Sequence, residues 1–256
     1  MKALIGFSGY VGSSLLRQQA FDCLYRSTNV HDARGKSFSI VICAAAPARK
    51  WIADRDPEAD QTNISGLFDV LASVNAEQFV LISTIDVFGD TRGRDEHSKA
   101  EPGSAYGRNR LWLEDRVREA FPSSLIVRLP GLVGPGLRKN AIFDFLNDNN
   151  LHQIDRRSTY QFYPMVNLTR DLEIARKHDL KLVHFATEPI SVSRVAEAFG
   201  RDFTNEVHDR TPADYNFRTF HASLFGGKDG YLYDARSCEL AIRAYAQSEQ
   251  RSHPSA

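Results

Sequence analysis

Two hydrophobic rhythms alternate through the first half of the chain. Short apolar runs occur at Ala3-Leu4-Ile5, Cys23-Leu24-Tyr25, Phe38 to Cys43, Phe79 to Ile82 and Ser124 to Leu129. They have strand length and are continuous rather than alternating, which is the pattern of strands buried on both faces of a parallel sheet. Between them, apolar residues recur at helical spacing. Val11, Leu15 and Leu16 mark a helix from Gly12 to about Gln19, and Leu67, Val70, Leu71 and Val74 mark one within 60–77. Leu111, Leu113 and Val117 mark a third over Ala105 to Ala120, with Ser104 as its cap and Glu114, Asp115, Arg116 and Arg118 at its polar positions. Asn29 to Ser37 is too short for a full helix and predicts a loop or single turn. Residues 90–103 are charged, carry Gly93, Pro102 and Gly103, and predict a loop.

From about residue 137 the pattern changes. Ala141 to Leu146 reads as a short helix, Leu151 to Ile154 and Tyr160 to Val166 as short strands, and 168–178 as a helix. Leu182 to Phe185 reads as a last strand returning to the sheet, and Ser191 to Phe199 as a helix. The whole predicts an α/β protein with a doubly wound parallel sheet over 1–137 and a smaller region over 138–246. The polar end, 247–256, is expected to fray. No internal repeat and no linker separates independent domains.

Composition bounds the function without choosing it. With 42% hydrophobic and 25% charged residues in 256, the chain has the make-up of an ordinary globule. Lys plus Arg and Asp plus Glu both number 32, so no net field draws nucleic acid or an anionic membrane. No apolar run approaches the roughly 18 residues of a membrane helix. The chain starts directly on a strand, which predicts no leader and a cytoplasmic protein. Cys23, Cys43 and Cys238 lack metal or redox spacing, so no metal is expected, and Cys23 and Cys43 sit in apolar runs as small hydrophobes.

The chemistry gathers at strand ends. Gly6, Gly9 and Gly12 follow the first strand and open a helix. Such a turn brings backbone N–H groups and a positive helix end to a phosphate, with Tyr10 and Val11 lining it. The spacing, G-x-x-G-x-x-G, departs from G-x-G-x-x-G, and glycine turns also join strands to helices where nothing binds. Arg26 and Ser27 end the second strand, where an Arg with hydroxyl neighbours suits a ribose 2′-phosphate and hence NADP; the alternative is a solvated Arg, and Arg34 or Lys36 could serve instead. Ala44, Ala45 and Ala46 end the third strand, where small residues admit a ligand or tight helix packing. Ser83, Thr84 and Asp86 end the fourth, where hydroxyls either serve a site or cap a turn.

These motifs come in a telling order. Gly6-x-x-Gly9-x-x-Gly12, Ala45-Ala46, Ser83-Thr84 before Phe88, Tyr106-Gly-Arg-Asn-Arg110, and Arg128 six residues before Gly134-Pro135 together resemble an extended short-chain dehydrogenase/reductase, of the NAD-dependent epimerase/dehydratase superfamily. The agreement covers roughly 1–137 and is looser beyond. Cys43 to Ala46 and the Ser83-Thr84 edge are most similar to dTDP-4-dehydrorhamnose reductases.

The resemblance implies a Rossmann-type fold, NADP or NAD as cofactor, and a sugar nucleotide or related keto or hydroxy sugar as substrate. It implies Tyr106 as proton donor or acceptor, Thr84 holding the same oxygen, and residue 110, one helical turn on, serving both the phenol and the nicotinamide ribose. It places Pro130 beside the nicotinamide, and offers Asp86, Asn140, Gln161 and Tyr163 as substrate contacts or plain packing residues. Dimerisation through helices 66–76 and 104–120 is a further expectation.

The sequence departs from the family in three places. Arg110 stands where a lysine is usual. Gly131 fills a position often held by Asn. Ile85-Asp86 follows Thr84 where dehydratases place Asp-Glu, which favours reduction over dehydration. Arginine keeps its charge and donates in a fork, but cannot relay a proton by losing that charge. Two functions follow: an NAD(P)-dependent reductase or epimerase working in modified form, or a catalytically impaired NAD(P)-binding regulatory or interaction protein on the same fold.

Overall fold

The computed structural model describes residues 1–249, so 250–256, the rest of the expected frayed tail, lie outside the described residues. The elements, in chain order, are β1 (Lys2–Ile5), α1 (Tyr10–Gln18), β2 (Cys23–Tyr25), β3 (Ser37–Cys43), α2 (Lys50–Arg55), α3 (Pro57–Leu71), β4 (Asn75–Thr84), α4 (Ala105–Ala120), β5 (Leu125–Leu129), β6 (Gly131–Val133), α5 (Ala141–Asn147), β7 (Thr159–Tyr160), β8 (Phe162–Pro164), α6 (Leu168–Lys177), β9 (Leu182–His184), β10 (Ile190–Ser191), α7 (Val192–Glu197) and α8 (Ala235–Ser248). None of the described helices is long and apolar enough to cross a membrane.

The chain forms two compact units. The first comprises Met1–Asp90, Glu96–Leu129 and Asn167–His184. Its frame is a six-stranded parallel sheet in the order β2-β1-β3-β4-β5-β9. Strand order reverses between β1 and β3, and in such sheets the crevice outside the carboxyl ends at that reversal is where ligands bind. Ile5 pairs with Cys43 there, so the glycine turn and the Ala44–Ala46 run leave the sheet side by side. The core of this unit holds Ile5, Val41, Ile64, Leu71, Phe79, Leu113, Val117 and Ile126. Phe79 of β4 stacks on Phe121 past the end of α4, with ring centroids 4.2 Å apart.

Element type follows the sequence closely in this unit; boundaries move. α4 spans Ala105–Ala120, with Ser104 accepting from the Gly107 N–H. The helix expected over 60–77 begins earlier and ends earlier, as α3: Asp56 caps it by accepting from the Ala59 N–H, Pro57 occupies its first turn, and it closes at Leu71. The chain then enters β4 at Asn75. The polar start of that strand pairs with Ser37 to Gln78's partner Ile40 on β3, and backbone pairing needs no apolar side chains. The loop between β2 and β3 is a single 3₁₀ turn, Val30–Ala33. α2, only 6 residues long, has too few turns to show a period in the sequence.

The second unit comprises Thr91–Asp95, Pro130–Val166 and, of the described residues, 185–249. Its pairings are short: β6 with β8 in parallel and β7 with β10 antiparallel. Aromatic packing supplies the core, with Tyr163 stacked on Phe185 at 5.2 Å and Phe145 edge-on to Phe203 at 4.9 Å. The expected strand over 151–154 is instead a 3₁₀ turn, Leu151–Gln153. Asp148 and Asn150 both adopt left-handed φ, 54° and 51°, and the tight turn they make leaves no extended run to pair. The expected strand over 160–166 is divided between β7 and β8 and gives way to a 3₁₀ turn at Met165–Asn167.

Candidate active site

The glycine turn is shaped by close backbone approach. Gly6 has φ +91°, and a Cβ on it would lie 2.6 Å from the Ala44 backbone. A Cβ on Gly12 would lie 2.1 Å from the Gly6 carbonyl oxygen. α1 therefore starts tight against the end of β1. No side chain caps that start, and no acidic residue lies in the first turn. A helix end so arranged suits an anionic pyrophosphate.

Arg26 stands beside this turn. The Gly6 N–H donates to the Tyr25 carbonyl at 2.7 Å, which fixes the end of β2 against the turn. The Arg26 guanidinium lies 6.0 Å from the Phe7 ring centroid, and its Nε donates to the Thr28 hydroxyl at 3.0 Å. Arg26 and Ser27 are exposed. Arg34 and Lys36 are used elsewhere, on the Asp69 carbonyl and the Tyr25 hydroxyl.

Tyr106 lies in the first turn of α4 and is 7% exposed. Its backbone N–H donates to Asp54 Oδ1 at 2.9 Å. Gly107 allows α4 to sit on the end of β4: a Cβ there would lie 2.0 Å from the Asp86 carbonyl oxygen. Burial raises the Tyr106 phenol above its ordinary value. The Arg110 guanidinium pulls it down, Asp86 pushes it up and Lys50 pulls it down, and burial prevails. Arg110 acts on the phenol in the lowering direction, but burial outweighs it. The phenol therefore stays protonated at neutrality.

Arg110 is 2% exposed and lies under Tyr106, its guanidinium carbon 4.3 Å from the ring centroid. Helical spacing accounts for that. What spacing hides is its partner: Nη1 donates to Asp60 Oδ2 at 2.8 Å and Nη2 to Asp60 Oδ1 at 3.1 Å, a bidentate pair. Nη2 also donates to the Pro47 carbonyl. Asn109 donates to Asp60 Oδ2 at 2.8 Å. Burial pushes the Asp60 carboxyl up, and the bonds from Arg110 and Asn109 outweigh it and hold it below the usual range. Arg110 Nε is buried without a hydrogen-bond partner.

The end of β4 is already hydrogen-bonded within the protein. The Thr84 hydroxyl donates to Asp86 Oδ2 at 3.0 Å and accepts from the Asp86 N–H at 3.2 Å. The Ser83 hydroxyl donates to Glu114 Oε1 at 2.6 Å. Glu114, a polar position by pattern, is fully buried; it also takes Arg128 Nη2 at 2.6 Å and Arg118 Nη2 at 2.9 Å. Lys50, which opens α2 and carries no signal in the sequence pattern, places its ammonium 2.5 Å from Asp86 Oδ1.

In the second unit the proposed substrate contacts serve packing. The Gln161 amide donates to the carbonyls of Thr187 and Phe217 and accepts from the Phe217 N–H at 2.9 Å, so it ties backbone rather than facing a ligand. Tyr163 is fully buried. Asn140, at φ +98°, caps α5 by accepting from the N–H groups of Ile142 and Phe143. Pro130 leads into β6, where a Cβ on Gly131 would lie 2.8 Å from the Gln161 carbonyl oxygen; that contact excludes the Asn often found there.

No protein-family model matches the sequence, and none of the curated proteins does. Solved structures match in shape. A dTDP-4-dehydrorhamnose reductase from Clostridium acetobutylicum is 19% identical, with a TM-score of 0.74 over 96% of this chain and 99% of that one. RMD from Pseudomonas aeruginosa, solved with NADPH, is 16% identical, with a TM-score of 0.74 over 96% of each chain. UDP-glucose 4-epimerase from Thermotoga maritima, solved with UDP-glucose, is 14% identical, with a TM-score of 0.73 over 96% of this chain and 98% of that one. The chain has their fold. It spans nearly their full length, so the second unit falls within the shared architecture as well.

Proposed function

We propose that this protein is an NADP-preferring reductase of the extended short-chain dehydrogenase/reductase kind, acting on a keto-sugar nucleotide. One observation carries the reading. A continuous chain of contacts in the first unit runs from the glycine turn through Ala44 to Pro47, then through Arg110 to the buried, protonated Tyr106. A dinucleotide laid along that chain from the α1 start would bring its nicotinamide end toward Tyr106. When bound, the cofactor would supply the hydride. Gly6, Gly9, Tyr10, Val11 and Gly12 would hold the pyrophosphate, and Arg110 Nε would donate to the ribose. Tyr106 would donate its proton to the carbonyl oxygen being reduced, with the Thr84 hydroxyl turned onto the same oxygen. A phenol held protonated suits that direction better than alcohol oxidation, which needs a base. The likeness to a dTDP-4-dehydrorhamnose reductase supports a keto-sugar nucleotide as substrate.

The test is to mix the protein with NADPH and a panel of 4-keto-sugar nucleotides and follow cofactor absorbance and product together. The expected result is one alcohol formed per NADPH consumed. A second reading, a cofactor-binding regulatory protein, draws on the Arg110–Asp60 pair, which neutralises the cation nearest Tyr106. NADPH that raises the melting temperature but never loses hydride to any substrate would favour it.

NADP preference rests on Arg26, exposed beside the glycine turn. A charge-assisted bond of about 1.5–3 kcal/mol to a 2′-phosphate predicts that Arg26→Ala weakens NADPH binding roughly 10- to 100-fold and leaves NADH binding nearly unchanged. Titration calorimetry with both cofactors checks this; equal losses for the two would remove the preference.

A further inference from the structure

Arg110 has its two terminal nitrogens on Asp60 and is still the strongest lowering influence on the phenol. The other cation acting on Tyr106 belongs to a different element. Lys50 begins α2, three residues after the Pro47 carbonyl that Arg110 holds. One turn along the same face of α2, Asp54 accepts the Tyr106 N–H at 2.9 Å. The short helix is thereby fastened to the start of α4 by one residue, while the other reaches the end of β4. There the Lys50 ammonium sits 2.5 Å from Asp86 Oδ1, and Asp86 Oδ2 takes the Thr84 hydroxyl at 3.0 Å.

We infer that Lys50 is a positioning residue of this site: clamped on Asp86, it cancels a carboxylate beside Tyr106 and fixes that carboxylate against the Thr84 hydroxyl. The inference deepens the reductase reading, since it concerns the groups that reading assigns to the reacting oxygen. The charged and titratable groups bearing on Tyr106 are Arg110 on its own helix, Asp86 at the end of β4, and Lys50 and Asp54 on α2, with Asp60 of α3 acting through Arg110. Of these, Asp86 opposes ionisation of the phenol and Lys50 favours it. Without Lys50 the Asp86 charge would act on the phenol uncompensated. Lys50 is 47% exposed and Asp86 22%, so the pair can be altered without leaving a buried charge, and the variants should fold.

The test needs neither cofactor nor substrate. The protein is labelled with fluorotyrosine, whose phenol titrates lower than that of tyrosine, and the Tyr106 resonance is assigned by its loss in Tyr106→Phe. Fluorine NMR then follows its titration. Lys50→Met is expected to shift the Tyr106 titration upward, Lys50→Arg to restore it, and Asp86→Asn to shift it downward. In the double variant Lys50→Met with Asp86→Asn, most of the effect of removing Lys50 should vanish. A Lys50→Met titration that overlays the wild type overturns the inference, and so does an equal upward shift with and without Asp86. Because the readout is taken on the free protein, absence of turnover in the wild type would count against the reductase reading alone.

Discussion

Tyr106→Phe is expected to lower turnover of a keto-sugar nucleotide by about 10²- to 10⁴-fold, the usual worth of a positioned proton donor, with NADPH affinity nearly unchanged. The substitution removes one oxygen. The ring stays buried and the Arg110 guanidinium keeps its place over the face, held by Asp60 and the Pro47 carbonyl. The defect should therefore fall on kcat. Rapid mixing with NADPH and substrate in excess measures it directly, and calorimetry supplies the cofactor arm. A variant that retains more than a tenth of wild-type kcat would remove Tyr106 as the donor. A variant that loses NADPH binding in parallel would mean that the hydroxyl holds cofactor.

The same phenol predicts a pH profile. Because burial raises its pKa, the proton-donating form is complete at neutrality and persists as pH rises. Reduction should stay flat through neutral into alkaline solution and fall only as the phenol ionises. Oxidation of the corresponding alcohol, which needs the ionised form, should climb over the same range. A reduction rate that already falls between pH 6 and pH 8, roughly the window in which histidine titrates, would point to another donor.

Much of this frame is legible in the sequence because it is local. The glycine turn, the buried strand runs and the Ser104 cap each lie within a few neighbouring residues, and the one-turn spacing from Tyr106 places Arg110 against its ring. The electrostatics are not local. Asp60 lies on a different helix from Arg110, Asp86 lies in the turn after a strand while Lys50 begins a helix, and nothing in either stretch names the other. Gln161 misleads for a related reason. Its amide faces backbone from two distant segments, and only the fold brings Thr187 and Phe217 there. Short elements with no period, such as α2, hide in the same way, and α2 carries Lys50, the partner of Asp86.

Glu114→Ala is the substitution expected to cost the most stability, about 3–5 kcal/mol, because it breaks a buried ion pair by removing one partner. By its place in the α4 pattern this glutamate is a surface residue. It is fully buried, and four donors converge on its carboxylate: Arg128 through Nε at 3.0 Å and Nη2 at 2.6 Å, Arg118 at 2.9 Å and the Ser83 hydroxyl at 2.6 Å. Arg128, 3% exposed on β5, has its guanidinium 5.2 Å from the Phe88 ring centroid and Nη1 3.4 Å from His184 Nε2. Without the glutamate that guanidinium stays buried with its charge uncompensated. Urea unfolding of wild type and variant measures the loss. Glu114→Leu combined with Arg128→Met should recover most of it, since apolar replacement of both partners removes the desolvated charges together. The pair also bears on the site, because Ser83 precedes Thr84 and is anchored by the same carboxylate. The double variant should fold yet turn over more slowly than wild type, its Ser83 hydroxyl having lost its acceptor. If Glu114→Ala costs less than about 1 kcal/mol, the network is no support for the sheet edge. If the double variant is as active as wild type, anchoring of Ser83 contributes nothing to the chemistry.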